Sequence, residues 1–548
     1  MCFLRFGNFV LAMSSFGLAL CVRVGAAVLT LWAGTASAQS PATARGALFD
    51  IWEYEVHGNS LLTPSQIEQA VTPYLGPQRQ ITDVDAARGN LQQRYQDAGY
   101  LSVQVLIPEQ KVDDGVVRLA VVEATLSALD IAGAQYNAPR RVAQAVPALQ
   151  PGTVPNFSQV QAQLDEINRR ADIKVSPVLK AGALPGTVAA QLDVDDQLAL
   201  HGSLEVNTKQ SLNTSGLRVA AALRYDDLWA MGHSLGLNFQ YTPEAPQEVR
   251  ATTVNYSVPT GLKGESFSGY LSQSRSNMNI WVYEGMGVVG NTDVTGLRYT
   301  WPLSAPDGQD QNFSLSVDHR DSRGMTRQPG SEVPQPAIRY APVGMVYRII
   351  DKRHEPSPSV LDVSSLMGVR GVAGLNQDSA FAASRPGASA NFAVLRMNWQ
   401  SSRSLGVSSL GYKVDAQLAS GPLLSSERFY AGGVDSVRGY YESERVADQG
   451  LRAALEWGSP WVRQTLANAP WRWQLLAFTD GAWVQNLPPI QAVSQARLWS
   501  VGGGMRWLGP RGLGLNMDVA RALLDGDTTA RGTRRGDWRA HVRLYTEF

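Results

Sequence analysis

Three short motifs carry residues that could do chemistry. Gly232-His233-Ser234-Leu235-Gly236 matches the nucleophile elbow, in which a serine is held on a sharp turn between a buried strand and a helix. The next residues, 238–243, alternate as a strand and end at a proline, which favours a turn entering a strand. His354-Glu355 meets Pro356 and lacks a second histidine. Gly502-Gly503-Gly504 lacks the lysine of a phosphate loop, and glycine is ordinary where a strand bends. The motifs therefore predict no enzyme and no metal, nucleotide or other cofactor site.

A fourth segment, 427–440, combines charge with glycine. Gly432 and Gly433 permit a tight turn, and Arg438 stands beside Gly439 at the tip of a predicted loop. Further on, Asp480 is an isolated acid in an otherwise apolar strand-like run. A partly desolvated carboxylate is costly unless it is paired, so Asp480 is expected to need a cation if it faces the interior. The alternative for Arg438 is an ordinary solvated loop charge.

The composition excludes several classes of protein. The chain has 548 residues, 44% of them hydrophobic, and 48 basic residues balance 48 acidic ones. This neutrality argues against nucleic-acid binding, which needs an excess of Lys and Arg. A mean hydropathy of -0.16, with no internal apolar run of about 18 residues, excludes a bundle of membrane helices. A membrane β-barrel remains possible, because its strands alternate apolar and polar residues.

The first 38 residues have the order of a secretory signal: a basic region without acids, a short apolar stretch and small residues before the cleavage site. The pattern predicts cleavage between Ala38 and Gln39. A lipoprotein signal ending at Cys21 is the alternative, but Leu20 is too large for the small residue expected there. Cys2 and Cys21 are the only cysteines and leave with the signal. The exported chain is therefore expected to contain no disulfide and no thiol enzyme site.

Residues 50–196 show a mixed helix and strand pattern that occurs twice. In the first copy a strand-like run, 51–56, precedes helices from Pro64 and over 83–98, and two further strands are predicted over 101–107 and 116–122. The order is β-α-α-β-β. The second copy repeats it with strands over 129–131, 173–179 and 188–194, a helix after Pro139 and a helix over 157–170. Self-similarity at about 75 residues predicts two copies of one module.

After residue 198 the helical period gives way to alternation with period two. In the last strand, Trp538, Ala540, Val542 and Leu544 oppose polar residues at the intervening positions, and the run ends on Phe548. A soluble sandwich and a membrane barrel both produce this pattern. Roughly 350 residues without a linker exceed one sandwich. We therefore expect an antiparallel transmembrane β-barrel, whose 16 strands would each have about 22 residues including the connection.

The chain resembles a known family in the order and spacing of its short motifs. Val56-His57-Gly58-Asn59, Tyr95, Gly99-Tyr100 and Asp114-Gly115 resemble a POTRA domain, and the copy containing Leu184-Pro185-Gly186-Thr187 resembles another. Two such modules before a barrel with Val437-Arg438-Gly439-Tyr440 resemble the outer-membrane transporters of two-partner secretion, the haemolysin and filamentous-haemagglutinin secretion-activation proteins. The resemblance covers essentially all of residues 50–548.

The resemblance implies roles for the fourth segment. In that family the barrel has 16 strands, and the Val-Arg-Gly-Tyr loop folds into the lumen, where its arginine pairs with the aspartate of an F-x-D-x-G strand motif. These roles would fall on Arg438 and Asp480, although Gly481 directly follows the acid and Ala482 takes the family's glycine position. Many members also carry an N-terminal plug helix. Only a short linker, 39–50, precedes the first module here, so the plug helix is expected to be absent.

The sequence therefore predicts a signal peptide (1–38), POTRA domains at 51–124 and 125–197, and a barrel at 198–548 with an inward loop around 427–445. The implied function is a porin-like outer-membrane pore of two-partner (type V) secretion, with its POTRA domains in the periplasm. They would recognise a large unfolded partner, an adhesin, haemolysin or toxin, through its N-terminal secretion domain. A barrel insertase of the same superfamily is the alternative, and an esterase using Ser234 is a third possibility. Nucleic acid and nucleotides are not expected partners.

Overall fold

The computed structural model describes residues 48–548 with short gaps. Those outside the description are 113, 169, 171, 213, 262–263, 276–278, 284–285, 290, 324, 329–330, 335–336, 355–356, 467, 489–493 and 527–531, and only the backbone is described for the rest of 276–290 and 324–336. The predicted signal peptide, the Ala38–Gln39 cleavage site and most of the linker lie outside the described residues. The chain divides into two compact units, Met1–Asp196 and Gln197–Phe548.

The first module is a three-stranded sheet covered by two helices. Its elements are β1 (Phe49–Ile51), β2 (Glu53–His57), α1 (Pro64–Val71), a 3-10 turn (Thr72–Tyr74), β3 (Gly76–Arg79), α2 (Ile81–Asp97), β4 (Val103–Leu106) and β5 (Val116–Glu123). Strand β5 is central, parallel to β2 and antiparallel to β4. Helix α1 begins at Pro64. Proline is suited to this position because the backbone N–H that it lacks would have no acceptor within the first turn of the helix. Helix α2 ends before Gly99, whose φ is +93°.

The second module has the same topology. It contains β6 (Thr125–Ala132), α3 (Pro139–Ala145), a 3-10 turn (Pro147–Leu149), α4 (Phe157–Ile167), β7 (Ile173–Ala181) and β8 (Thr187–Asp196). The central β8 is parallel to β6 and antiparallel to β7. Each module buries its own apolar cluster.

The two modules also share one local device at the end of the first strand. Gly58 and Gly133 both have φ near +83°, and a Cβ on either would lie 2.3 Å from a carbonyl oxygen of the central strand, that of Val121 or Val194. Only glycine allows this approach. An acid at the end of each central strand then binds the loop that follows the first strand of the module. Glu123 accepts hydrogen bonds from the Ser60 and Leu61 amides, and Asp196 accepts them from residues 135–137.

The second unit is a closed antiparallel barrel in which each described strand pairs with a neighbour on both sides. Two of its strands are interrupted, which gives a 16-strand barrel. In order the strands are Leu200–Asn207, Arg218–Leu228, His233–Tyr241, Arg250–Pro259, Ser266–Arg275, Asn291–Leu303, Gln309–Arg323, Ile338–Tyr340 with Pro342–Asp351, Ser359–Gly368, Ala393–Leu405, Ser408–Ala419, Gln449–Gly458 with Val462–Leu466, Ala469–Gln485, Gln495–Leu508, Gly514–Ala522 and Trp538–Glu547.

Smaller elements lie in the connections between strands. They are the helix α5 (Asp378–Ser384), the 3-10 turns Val372–Gly374, Ser425–Glu427 and Pro510–Gly512, and the hairpins Asn279–Tyr283 with Met286–Val289, Met325–Gln328 with Ser331–Pro334, and Phe429–Ala431 with Arg445–Ala447. No helix in the described part of the chain is long and apolar enough to cross a membrane.

The faces of the barrel strands follow the predicted alternation. Large apolar side chains on the outer face are half exposed, as Leu237, Leu297 and Leu544 are at 43%, 53% and 46%. Their neighbours in sequence face the lumen and are mostly polar or charged. A continuous outer band of exposed apolar side chains fits a lipid environment.

The barrel closes between its first and last strands. Asn207 to Ser203 pair with Arg543 to Glu547, and Gly202 and Phe548 exchange two backbone hydrogen bonds of 2.8 and 3.0 Å. The Phe548 ring lies where a Cβ on residue 202 would stand, within 2.3 Å, so this register requires glycine. Closure leaves no free edge along this part of the seam, as backbone groups in a bilayer demand.

The structure corrects some predicted boundaries. The first run is not one strand: β1 ends at Ile51 and β2 begins at Glu53, because the Trp52 amide turns to donate to the Gly115 carbonyl at 2.8 Å. Strand β6 starts at Thr125, four residues before the predicted 129–131. Helix α4 ends at Ile167 rather than at 170, because the Asn168 side chain bonds the Val175 backbone instead.

Glu123 should make the stability of the first unit depend on pH. Burial raises the pKa of its carboxyl, but the hydrogen bonds from Ser60, Leu61 and Tyr95 outweigh this and lower it. A lowered folded-state pKa stabilises the fold above the unfolded value of about 4.3, and this stabilisation is lost as pH falls through the folded-state value. We expect Glu123→Gln to lower the free energy of unfolding of fragment 48–196 by about 1–3 kcal/mol at pH 7 and less at pH 3. Urea titrations at pH 7 and pH 3 measure this loss of unfolding free energy, and Glu68→Gln at an exposed position is the control. An equal loss at the two pH values would contradict the prediction.

Candidate functional site

The candidate site is formed by the connection between the strands Ser408–Ala419 and Gln449–Gly458. This segment, 420–448, is here called the lumenal loop. It carries the short hairpin Phe429–Ala431 with Arg445–Ala447, and its central residues contact inward-facing side chains of several barrel strands. The central residues of the loop therefore lie against the inner face of these strands.

The tip of the lumenal loop is held by Arg438. Its Nε lies 2.8 Å from Asp480 Oδ2, its Nη2 lies 2.9 Å from Asp480 Oδ1, and its backbone amide donates to the same carboxylate at 3.1 Å. Nη1 donates to Glu456 at 2.6 Å. The guanidinium also stacks on the Phe478 ring, with 3.3 Å from Cζ to the ring centroid. Arg438 and Asp480 are 5% and 1% exposed, so this is a largely desolvated, bidentate ion pair.

Strand register brings the acids together. Glu456 lies opposite Phe478, two residues from Asp480, so both carboxylates point into the lumen from neighbouring strands. Asp518 adds a third acid 3.9 Å from Arg438. Arg506 binds Asp518 at 2.7 Å and lies 3.7 Å from Glu456. Two arginines thus share three carboxylates.

Glycines on the barrel wall make room for this network. Gly502 and Gly504, part of the run that lacked a phosphate-loop lysine, lie in the strand Gln495–Leu508. A Cβ at 502 would stand 2.5 Å from the Phe478 ring, and one at 504 would stand 2.0 Å from Asp518 Oδ1. The sequence interpretation of these glycines as bends missed this role. Their two-residue spacing on one strand face was the available signal.

The residues flanking Arg438 fix the backbone of the tip. Gly439 has φ +95°, and a Cβ there would press on Ala520 and Ser500 at 3.3–3.4 Å. Val437 and Tyr440 are fully buried in an apolar cluster that also contains Val484 and Leu498. The Tyr440 hydroxyl lies 2.8–3.3 Å from backbone groups of Trp499 and Leu524, on adjacent parts of the wall. The tip is therefore held by packing and hydrogen bonds as well as by charge.

Gly432 and Gly433 connect the hairpin to the tip. Their φ values, +110° and +102°, are accessible almost only to glycine. A Cβ on residue 432 would stand 2.4 Å from the Tyr441 carbonyl oxygen. The two glycines therefore allow the chain to turn back closely on itself before residue 438.

A second set of ion pairs holds the start of the lumenal loop. Glu427 is 1% exposed and accepts hydrogen bonds from Arg320 at 2.6 Å, Tyr340 at 2.5 Å and Arg396 at 3.2 Å. Arg320 also binds Asp318 at 2.7 Å. The sequence alone indicated Glu427 only as the first residue of the segment, because its partners lie on strands that are distant along the chain.

The end of the loop is held in the same way by Asp448. Its carboxylate accepts from Arg385 Nη2 at 3.0 Å and from the Leu423 and Leu487 amides at 3.0 and 2.8 Å. At its base the loop thus supplies anions to cations of other segments, whereas at its tip it supplies a cation to anions of the wall.

The other candidate motifs are placed apart from this network. Ser234 lies within the strand His233–Tyr241, which is followed by another strand, and its hydroxyl donates to Asp226 at 2.6 Å. The helix that a nucleophile elbow requires is replaced by strand. His354 contacts Arg403, and residues 355 and 356 lie outside the described ones. Ala482, at the family's glycine position, packs beside the buried tip cluster.

The protein combines an α+β module with a closed barrel that holds an internal loop. This is the architecture of membrane barrels that carry POTRA domains. Comparison with known proteins specifies it further. Residues 49–124 match the POTRA domain, ShlB-type, and residues 186–507 match the family Haemolysin secretion/activation protein ShlB/FhaC/HecB. The second match covers more than half of the chain. The protein therefore belongs to this family of haemolysin secretion/activation proteins.

Individual relatives are distant. The chain is 22% identical to the outer membrane transporter CdiB of Escherichia coli O6:K15:H31 over 45% of its own length and 43% of that protein's. It is 22% identical to CdiB of Dickeya dadantii over 85% of its length and 82% of that protein's. The first of these alignments therefore spans less than half of the relative.

Solved structures show the same fold. CdiB from Escherichia coli superposes with a TM-score of 0.64 at 16% identity, covering 94% of this chain and 93% of that one. BamA from Haemophilus ducreyi lacking POTRA domains 1-3 gives 0.52 at 15% identity, covering 91% and 100%. At these identities both likenesses concern the fold alone.

Removal of either partner at the tip should open the lumen. Arg438→Ala and Asp480→Ala each leave a charge without its main partner, at a cost of about 3–5 kcal/mol if burial is deep and less beside water. We expect each variant to insert as a barrel but to show raised conductance in planar bilayers. The double variant should show the same conductance as either single variant, because the second substitution removes an interaction that the first has already broken. Arg497→Ala, an exposed arginine on a neighbouring strand, is the control; additive effects or unchanged conductance would contradict the pairing.

Proposed function

We propose that this protein is an outer-membrane pore that exports a large partner protein in two-partner secretion. The observation that carries the proposal is the lumenal loop, whose tip is held inside a closed barrel by Arg438 and Asp480. Membership of the secretion/activation family supports it. The barrel lies in the outer membrane and the modules of the first unit lie in the periplasm. The lumenal loop closes the pore at rest, and the ion pair between Arg438 and Asp480 holds the loop in that position.

Both modules of the first unit act as POTRA domains. The family match reaches the first module, 49–124. For the second, 125–197, the support is the repeated topology and the repeated device of Gly58 with Glu123 and Gly133 with Asp196. The modules capture the N-terminal secretion domain of the unfolded partner, an adhesin, haemolysin or toxin, by offering a sheet edge to an added strand. Folding of the partner outside the cell then drives export.

The barrel insertase has no observation of its own in its favour. The likeness to BamA concerns the fold and is lower than that to CdiB, whereas the family match over 186–507 is to secretion/activation proteins. Export is therefore the function that we propose.

Binding by the first unit tests the proposal directly. Fragment 39–197, expressed without the barrel, should bind the N-terminal secretion domain of the exported partner, because capture precedes entry into the pore. Isothermal calorimetry measures this, with fragment 125–197 as the matched control that lacks the first module. The proposal would be refuted if the folded fragment released no heat with that domain and the full-length protein exported no partner from cells.

The enzyme alternative is tested at Ser234. Since Ser234 lies in a strand and bonds Asp226 of the neighbouring strand, Ser234→Ala should leave partner export within about twofold of the wild type. It should also change no hydrolysis of p-nitrophenyl esters by the purified protein. Ester hydrolysis that disappears with this substitution alone would reverse the conclusion.

A further inference from the structure

Charged side chains are concentrated at one rim of the barrel's outer face. They lie at the ends of five neighbouring strands and point away from the lumen, as the exposed Leu271, Leu297 and Val317 do further along three of these strands. We call this cluster the rim patch, and its members are Arg250, Arg275, Asp293, Asp321, Arg323 and Arg339. Four arginines against two aspartates give the patch an excess of positive charge.

The two aspartates hold three of the arginines in place. Arg275 binds Asp293 through both Nη atoms, at 2.8 and 3.3 Å. Asp321 accepts a hydrogen bond from Arg339 Nε at 3.2 Å. Arg323 lies between the two acids, 3.7 Å from Asp321 and 3.9 Å from Asp293. The side chains of Arg323 and Arg339 are nevertheless 56% and 68% exposed, so their guanidinium groups are accessible from outside the barrel.

The fourth arginine, Arg250, repels its neighbour across the ladder. Arg250 and Arg275 are direct partners on adjacent strands, and both side chains lie on the outer face. Like charges directly opposite one another destabilise a sheet. Asp293 lies on the strand beyond Arg275, so it does not separate the two arginines. An anion bound by both guanidinium groups would replace this repulsion by attraction.

The rim patch lies at the extracellular end of the barrel. Short connections, 229–232 and 260–265, join the strands at the opposite end, whereas the connections beside the patch, 276–290 and 324–337, are long. Outer-membrane barrels have short periplasmic turns and longer extracellular loops. The patch is therefore on the side of the outer leaflet.

An apolar surface continues from the patch towards the middle of the same strands. Leu271 and Leu297 are exposed on the outer face and lie four positions from Arg275 and Asp293. At about 3.3 Å per residue, this places the charges roughly 13 Å along the strand from these leucines. An amphiphile with an anionic head and apolar chains would match both surfaces at once.

We propose that the rim patch binds the phosphate groups of lipid A, the phosphorylated glycolipid of the outer leaflet, while its acyl chains cover the apolar band below. Guanidinium groups match phosphate in a bidentate manner, and basic clusters at a membrane surface bind anionic headgroups. A phosphate between Arg250 and Arg275 relieves the repulsion of this pair. The proposal depends on the location of the barrel in the outer membrane and not on what the pore exports.

Titration of the purified full-length protein with lipid A in detergent tests the patch. We expect Arg250→Gln with Arg339→Gln to weaken binding about tenfold or more in microscale thermophoresis, because each arginine donates charge-assisted hydrogen bonds. Arg463→Gln with Arg472→Gln removes two exposed arginines at the periplasmic end and should change the affinity less than about twofold.

Two further arms of the titration identify the ligand. Lipid A without its phosphates should bind the wild type at least tenfold more weakly, and equimolar inorganic phosphate should not displace lipid A. Equal affinities of the two double variants, equal binding of the dephosphorylated lipid, or displacement by free phosphate would each overturn the proposal.

Photo-cross-linking in cells tests the patch without removing an arginine. Benzoylphenylalanine at Gln273, two positions from Arg275 on the same face, should cross-link to lipid A at least fivefold more than at Leu418. Leu418 is exposed on the outer face at the extracellular end of a strand outside the patch. Blotting with an antibody to lipid A measures both yields. Equal yields would mean that lipid A only surrounds the barrel, and would overturn the proposal.

Discussion

The constraint on which this structure depends is that backbone groups within a bilayer must find partners inside the protein. A sheet in this environment has to close, and here the strand Leu200–Asn207 completes the ladder of Trp538–Glu547. Closure assigns every strand residue to lipid or to lumen. Apolar side chains take the outer face, so polar and charged groups accumulate inside, where they have to satisfy one another.

The lumenal loop is the main consequence of that accumulation. Glu427 and Asp448 at its two ends meet arginines, and Arg438 at its tip meets Asp480 and Glu456. At its base, Tyr340 and Leu423 belong to a buried apolar cluster. The tip borders a cavity that can hold water.

Much of this could be predicted from the sequence, and the failures have physical reasons. Period-two alternation predicted the barrel, because lipid and lumen impose it on every strand. Arg438 and Asp480 were matched only through the family's motifs, since nothing local joins two residues 42 positions apart. The Glu427–Arg320 contact joins residues 107 positions apart and carries no motif, so it could not be found without the strand register. Gly502 and Gly504 were read as bends, because the Phe478 ring and the Asp518 carboxylate that they accommodate lie on other strands.

The seam between the first and last strands also constrains how the protein is made. Arg543 and Glu205, which meet across it at 2.7 Å, are 338 positions apart. Contacts of such large sequence separation form late and slowly, because the entropy of closing so long a loop must be met first. Until then the strand Leu200–Asn207 presents an unpaired edge, a state prone to aggregation. The strand Leu200–Asn207 therefore stays an open edge until the last strand of the chain has reached it.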